Sequence, residues 1–268
     1  MIQQRVKILW NRQVGPHLQR MGLACDQGYA AVQPGQFVMV QVSSGHALLL
    51  RRPFSVFGVI GDPGQPEGIE LLYKVVGRGT KMLAGYAPGE GLDLLGPLGR
   101  GFDLTQAPPG NGPYYLAAGG IGVAPIRFLA HHLAVSGYEA ARCHVFLGGR
   151  NRSELLCRDD FIDIGMVVTV TTDDGSAGDQ CLITDPLQTA IENQPPVTLF
   201  ACGPSGMLQC IAGIVERFRI DCQVSMETLM ACGMGACLGC AIEGCDSAKP
   251  YLHVCKDGPV FAAAQLKW

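Results

Sequence analysis

Apolar residues in the first hundred positions come in short runs separated by turn-forming residues. Val6–Trp10, Gln36–Val42, Phe54–Ile60 and Glu70–Val76 read as strands, broken by Pro34-Gly35 and by Gly61-Asp62-Pro63-Gly64. Strands this short, with turn residues between them, predict a small antiparallel barrel. From Tyr114 the pattern changes. YYLAA, HVFLGG, MVVTVTT and VTLFACG predict strands, and GGIGVAPIRFLAHHLAVSG, SELLCRDDF, ITDPLQTAI and SGMLQCIAGIVERFR predict helices after them. The last of these sets Met207, Ile211, Ile214, Val215 and Phe218 at helical spacing. Strands alternating with helices predict a doubly wound parallel α/β sheet, whose ligands sit at the carboxyl ends of the strands. QAPPGNGP reads as the linker between the two patterns. A cysteine-rich tail follows, so the expected organisation is multi-domain: an antiparallel β-barrel over 1–105, the α/β sheet over 106–222 and a small metal segment over 223–268.

Composition narrows the class. With 48% hydrophobic and 16% charged residues the chain is globular rather than disordered. A formal net charge of -3 gives no electrostatic case for nucleic acid. MIQQRVKILWNRQ lacks the continuous apolar core of a signal peptide, and no apolar run reaches the length of a membrane span. Twelve cysteines without an export signal predict a reduced, cytoplasmic protein that uses thiols for a metal. Cys25, Cys143, Cys157, Cys181, Cys210 and Cys222 are scattered and read as small buried hydrophobes. His131 and His132 fall inside a predicted helix and read as surface or packed side chains. No Ser/His/Asp hydrolase signature or H-E-x-x-H motif is present.

The tail carries the strongest chemistry. Cys232, Cys237, Cys240 and Cys255 stand in a C-x4-C-x2-C-x14-C pattern, the spacing of plant-type [2Fe–2S] sites. Gly233, Gly235 and Gly239 would let the backbone fold closely over a cluster, with amides pointing at its sulfurs. A zinc site is the competing reading, although zinc usually takes its cysteines in closer pairs set further apart. Cys245 is a fifth cysteine in the segment and reads as a spare buried thiol, with an alternative ligand as the competing reading.

The barrel and the sheet offer sites for phosphates. Arg51 and Arg52 lie in the apolar stretch LLLRRPFSVFGV, where a charge needs a partner or a ligand. After Tyr73 and Lys74, the run Gly77-Arg78-Gly79-Thr80 reads as a turn into a short helix, with Thr80 as cap or phosphate donor. In the sheet, Gly119, Gly120, Gly122, Ala124 and Pro125 follow the first strand, and Cys202, Gly203 and Pro204 follow the last. Small residues there admit a pyrophosphate to a helix N-terminus, and Cys202 is the side chain nominated beside a hydride path. A tight connection or a packed thiol is the bland alternative. Asp173 and Asp174 read either as a ribose-binding pair favouring NADH or as a plain Asp-Asp-Gly turn.

RPFS resembles the flavin motif R-x-[YF]-[ST] of the ferredoxin reductase superfamily. That resemblance implies Arg52 on a flavin phosphate, Phe54 packing by its ring and Ser55 on the isoalloxazine edge. RPFS, LYKVVGRGT, GPLGRGF, GGIGVAP, TDDGS, ACGPSGM, MACGMGACLGC and YLHVCKDGPVF, in this order, resemble the electron-transfer subunits of dihydroorotate dehydrogenase B (the PyrK family) over nearly the whole chain. GGIGVAP and CGP are shared more widely, whereas the cysteine segment is specific. The resemblance implies FAD at Arg52, Pro53, Phe54, Ser55, Leu72, Tyr73, Lys74, Gly79 and Thr80, and a [2Fe–2S] cluster at Cys232, Cys237, Cys240 and Cys255. It further implies NAD as electron acceptor and an FMN-containing catalytic subunit as partner, in a heterotetramer of two of each. GDPGQPEG departs from the family pattern by lengthening a hairpin.

Overall fold

The computed structural model describes every residue except 26, 30, 44–47, 63, 64, 106 and 111, and describes 27 without its side chain. Pro63-Gly64 of the expected first-domain turn, and Gln106 and Asn111 of the expected linker, lie outside the described residues.

The chain divides into two compact units. One comprises Met1–Gly101, Glu227–Ala241 and His253–Pro259; the other comprises Phe102–Met226, Ile242–Leu252 and Val260–Trp268. The first unit is built on a closed six-stranded barrel. Its strands are β1 (Ile2–Gly15), β2 (Leu18–Ala24), β3 (Phe37–Gln41), β4 (Arg52–Asp62), β5 (Gln65–Lys74) and β6 (Gly91–Leu98), ordered β1-β2-β5-β4-β3-β6. Every described pairing in it is antiparallel. Helix α1 (Arg78–Ala84) bridges β5 and β6 along the chain. The four runs read as strands lie on β1, β3, β4 and β5. The GDPGQPEG stretch is mostly strand, because Asp62 pairs with Gln65 and Gly61 with Pro66, and so the β4–β5 hairpin is extended. Fully buried Ile8, Met21, Leu23, Met39 and Ile69 belong to its core.

The second unit is a six-stranded sheet. It contains β7 (Tyr114–Gly119), β8 (Cys143–Gly149), β9 (Val167–Thr172), β10 (Thr198–Cys202) and β11 (Cys222–Ser225). Helices α2 (Val123–Val135), α3 (Arg158–Asp163), α4 (Thr184–Asn193) and α5 (Ser205–Phe218) alternate with these strands. The five strands are parallel in the order β11-β10-β7-β8-β9. β7 and β10 are buried along their whole length, as strands covered on both faces must be. On α2, Ile126, Leu129, Ala130 and Leu133 are fully buried, and truncating either leucine costs about 2–5 kcal/mol.

Two elements differ from expectation. SELLCRDDF is not one helix: a single 3-10 turn covers Arg152–Glu154, and α3 starts only at Arg158. The break is at Cys157, whose φ of +61° cannot continue a right-handed helix. On α5, Ile211 and Val215 are buried as spaced, but Leu208 and Ala212 complete the buried seam while Met207, Ile214 and Phe218 stay half-buried.

After β11 the chain runs through the cysteine segment, forms a hairpin of β12 (Ala241–Glu243) and β13 (Tyr251–His253), and ends in β14 (Val260–Ala262). β14 pairs antiparallel with β11, as Val224 with Phe261 and Ser225 with Val260. The sheet therefore closes with the last stretch of the chain, which the sequence reading had left in the metal segment.

Candidate functional site

In the first unit, β4 and α1 bring the expected flavin residues together. Arg51 is used inside the chain: its guanidinium lies 2.5 Å from Asp93 Oδ1 and donates to the Asp93 carbonyl at 3.1 Å. Arg52 meets no carboxylate among the described residues. Among the described residues its Nη1 donates to the carbonyls of Leu50 and Arg51, at 2.7 and 3.3 Å. Its stem passes over Gly79, where a Cβ would stand 3.4 Å from Arg52 Nε. A half-buried guanidinium with donors to spare fits a phosphate.

Thr80 is a cap. Its hydroxyl accepts from the amides of Val76 and Gly77, at 2.9 and 3.1 Å, and donates to the Gly77 carbonyl at 3.2 Å. The expected phosphate donor is thus already engaged in closing its own turn. Phe54 and Tyr73 pack edge to face, with ring centroids 5.6 Å apart. Leu72 and Tyr73 are buried, while Pro53, Phe54, Ser55 and Lys74 are half-buried. Burial pushes the Tyr73 phenol up to about 12, against a hydrogen bond from its hydroxyl to Asn11 that lowers it. Asn11 escaped the sequence reading. It sits on β1, far along the chain from both elements that it joins, and a lone asparagine in a strand carries no signal.

The cysteines belong to the same unit. The sulfurs of Cys240 and Cys255 lie 3.2 Å apart, and the Cys237 thiol bonds Cys232. Backbone amides point at the sulfurs. Met234 and Cys237 donate to Cys232 Sγ at 3.5 and 3.4 Å, Gly235 to Cys255 Sγ at 3.1 Å, and Cys255 to Cys240 Sγ at 3.5 Å. Burial raises the Cys232 thiol, but the amides of Met234, Cys237 and Ala236 and the Cys237 thiol together bring it down to about 6. Burial, with Cys240 adding, pushes Cys255 up to about 12.

Two pairs of thiols suit a two-iron cluster, in which each iron takes two protein sulfurs. A lone zinc needs all four around one point, and among the described residues no three His, Cys, Asp or Glu side chains converge on one ion. Cys245 is tied elsewhere, its thiol donating to the Leu266 carbonyl at 3.1 Å and its amide to Gln265.

Gly233 and Gly235 take left-handed backbones, and so does Leu238, with φ of +59°; at Gly239 a Cβ would stand 3.6 Å from Cys237 Sγ. The turn that carries Cys255 is pinned by Asp257, whose carboxylate accepts the His253 amide at 2.7 Å. None of the twelve cysteines is in a disulfide.

In the second unit the two expected turns meet. β7 and β10 are neighbours, with Ala118 opposite Cys202. Gly122, which precedes α2, is buried against the Cys202–Gly203 turn, where a Cβ would stand 2.4 Å from the Cys202 carbonyl oxygen. Gly203 packs on Gly119 from the other side, and Ala124 and Pro125 are buried in the first turn of α2. The Cys202 side chain is buried at the strand end. Asp174 closes a turn, accepting the Ser176 amide at 2.9 Å, and the Ser176 hydroxyl together with that amide holds its carboxyl below the usual range.

Residues 227–267 match the iron–sulfur cluster binding domain of dihydroorotate dehydrogenase B, and residues 116–213 match the oxidoreductase NAD-binding domain. The chain is 37% identical over 240 residues to the electron transfer subunit of dihydroorotate dehydrogenase B (NAD(+)) from Desulforamulus reducens, covering 88% of this chain and 87% of that one. It is 33% identical over 263 residues to the subunit of the same name from Caldanaerobacter subterraneus, covering 98% and 97%. Among solved structures, an NADH-dependent reduced ferredoxin-NADP oxidoreductase, studied for flavin-based electron bifurcation, superposes with a TM-score of 0.83 at 25% identity, over 98% of this chain and 90% of that one. The ferredoxin NADP+ reductase of Neisseria gonorrhoeae shares the fold, with a TM-score of 0.67 at 16% identity over 81% and 91%. With full-length relatives at this identity and a cysteine segment matching their cluster domain, the chain belongs to the family of dihydroorotate dehydrogenase B electron transfer subunits.

Proposed function

We propose that this chain is the electron-transfer subunit of an NAD-linked dihydroorotate dehydrogenase. It carries FAD on the barrel and a [2Fe–2S] cluster on Cys232, Cys237, Cys240 and Cys255. Electrons taken from a catalytic subunit holding FMN reach NAD+, in an assembly of two of each subunit that serves pyrimidine biosynthesis. The observation that carries this reading is the pairing of the four thiols, with four backbone amides aimed at their sulfurs, in the same unit as the RPFS strand.

A flavin supplies the exchange between the two-electron hydride of a nicotinamide and the single electrons that an iron–sulfur centre accepts. The chain supplies the rest. Arg52 would hold the flavin phosphate, Phe54 would pack by its ring with Tyr73 buried behind it, and Ser55 would bond the flavin edge, with Pro53, Leu72, Lys74, Gly79 and Thr80 shaping the cradle. Gly119, Gly120, Gly122, Ala124, Pro125, Gly203 and Pro204 would admit the dinucleotide, and Cys202, at the end of β10, would be the side chain offered to the hydride path. Functionally the chain divides into 1–105, 106–222 and 223–268. Twelve cysteines without a disulfide suit the reducing cytoplasm, and among the described residues no helix is long and apolar enough to cross a membrane.

The test is the visible spectrum of anaerobically purified protein, with flavin, iron and sulfide measured on the same sample. About one FAD and two irons per chain are expected; zinc without flavin would sink the reading. The isolated subunit is expected to show no dihydroorotate oxidation until an FMN-bearing partner is added. A second reading, a related reductase subunit serving ferredoxin, hydrogenase or sulfur reduction, is favoured by the likeness to the bifurcating ferredoxin-NADP oxidoreductase. Co-purification with a multi-cluster protein instead of an FMN subunit decides for it.

A further inference from the structure

The loop that carries Cys232 rests on two barrel side chains, Met39 above all. Gly233 follows Cys232 directly with a φ of +71°. A Cβ there would stand 2.4 Å from Cγ and 2.8 Å from Sδ of Met39, and 3.4 Å from Cδ1 of Leu98. Met39 is fully buried on β3. Its backbone is paired with Pro53 of β4 on one side and with Leu95 of β6 on the other. The residue whose side chain stands nearest to Gly233 is therefore also the ladder partner of the RPFS strand. Leu98 of β6 is the second neighbour there, and further along the segment the Arg100 amide donates to the Gly258 carbonyl at 2.6 Å.

We propose that Met39 is a positioning residue for electron exchange: it seats the Cys232 turn on the flavin-bearing strand and fixes the spacing between the two redox groups. The proposal rests on the reading of Cys232 as a cluster ligand and of Arg52–Ser55 as flavin residues. The chemistry of the contact is specific. Methionine is unbranched, so its Cγ and Sδ lie flat in the space that a side chain at 233 would take. Glycine at 233 supplies both that space and the left-handed backbone. A core methionine with no such role would need only its volume replaced; a seat needs the fit to Gly233 as well.

The test uses the full-length protein loaded with flavin and cluster, comparing wild type with Gly233→Ala, Met39→Ala, Met39→Leu and the double substitution Met39→Ala with Gly233→Ala. Gly233→Ala is expected to lose more than half of its iron and sulfide while keeping its flavin. The double substitution is expected to regain part of that iron, because removing the thioether reopens the space. Met39→Leu keeps the volume and is expected to fold with full iron and flavin. Its chemically reduced cluster is expected to give an altered EPR signal, and NADH is expected to reduce that cluster several-fold more slowly.

Full iron in Gly233→Ala, no recovery in the double substitution, or an unchanged signal and rate in Met39→Leu would each overturn the proposal. If Met39→Ala alone fails to fold, the Met39→Leu comparison still decides. Wild-type protein lacking flavin and iron would instead defeat the reading of the site itself, before any substitution is made.

Discussion

Tyr73 and Asn11 are joined by a hydrogen bond of 3.1 Å from the phenol to Oδ1, and the amide nitrogen of Asn11 donates to the carbonyls of Leu83 and Tyr86 at 3.0 Å each. One side chain on β1 thus ties the end of β5 to the last turn of α1, two elements of the proposed flavin cradle. Asn11→Asp keeps the acceptor and removes both donors. It is expected to destabilise the protein by about 1–3 kcal/mol, the cost of leaving partly buried carbonyls without donors. Denaturant unfolding of the loaded protein measures this, and flavin is expected to leave earlier in the transition than in wild type.

The two adjacent arginines are expected to separate cleanly. Arg52→Ala removes donors that have no carboxylate partner among the described residues and is expected to weaken FAD binding by about ten- to a hundredfold, in line with charge-assisted hydrogen bonds of about 1.5–3 kcal/mol. Arg51→Ala breaks a half-buried pair with Asp93 and is expected to cost about 1 kcal/mol of stability while leaving FAD affinity within about twofold. Fluorescence titration of the apoprotein with FAD checks both. Equal losses for the two would remove the distinction.

Cluster retention is expected to track the turn at Cys255 and to ignore Cys245. Asp257→Ala frees the His253 amide and is expected to lower bound iron and speed its loss to a chelator. Cys245→Ser is expected to leave iron and sulfide at wild-type levels, because that thiol bonds Leu266. Iron and sulfide assays after gel filtration compare them. A Cys245→Ser protein without iron would make Cys245 a ligand.

Tyr73 gives a pH signature. Its folded pKa, raised to about 12 by burial despite the bond to Asn11, exceeds the ordinary value near 10. Between these two values the folded state holds a proton that the unfolded state has lost. Stability is therefore fully present below about pH 10 and falls as pH rises toward about 12. Tyr73→Phe is expected to flatten that part of the stability curve relative to wild type, which retains the contributions of other tyrosines. Unfolding midpoints measured from pH 9 to 11.5 test the difference.

The sequence shows the barrel and the sheet well because both are written in local signals. Short apolar runs between turn residues mark β3 to β5, and strand–helix alternation marks β7 to β10. What it hides is tertiary. β14 is three residues long and exists through its pairing with β11, so no local pattern announces it. Leu238 takes a left-handed backbone that a leucine in a sequence does not announce. The cysteine spacing announces a cluster directly, because ligand spacing is a property of the chain. Asn11 and Met39 could not be read that way: their roles come from carbonyls and a glycine distant in sequence.

The pairing of β14 with β11 has a consequence for assembly. Residues 226–259 leave the sheet from one strand and return to the strand beside it, so the cysteine segment is a closed loop anchored at both feet. The pairing of β14 with β11 brings those ends together, so part of the entropy of closing the loop is met by the sheet rather than by a metal. A chain stripped of its cluster is therefore expected to keep its C-terminus paired with β11 and to take up iron and sulfide again.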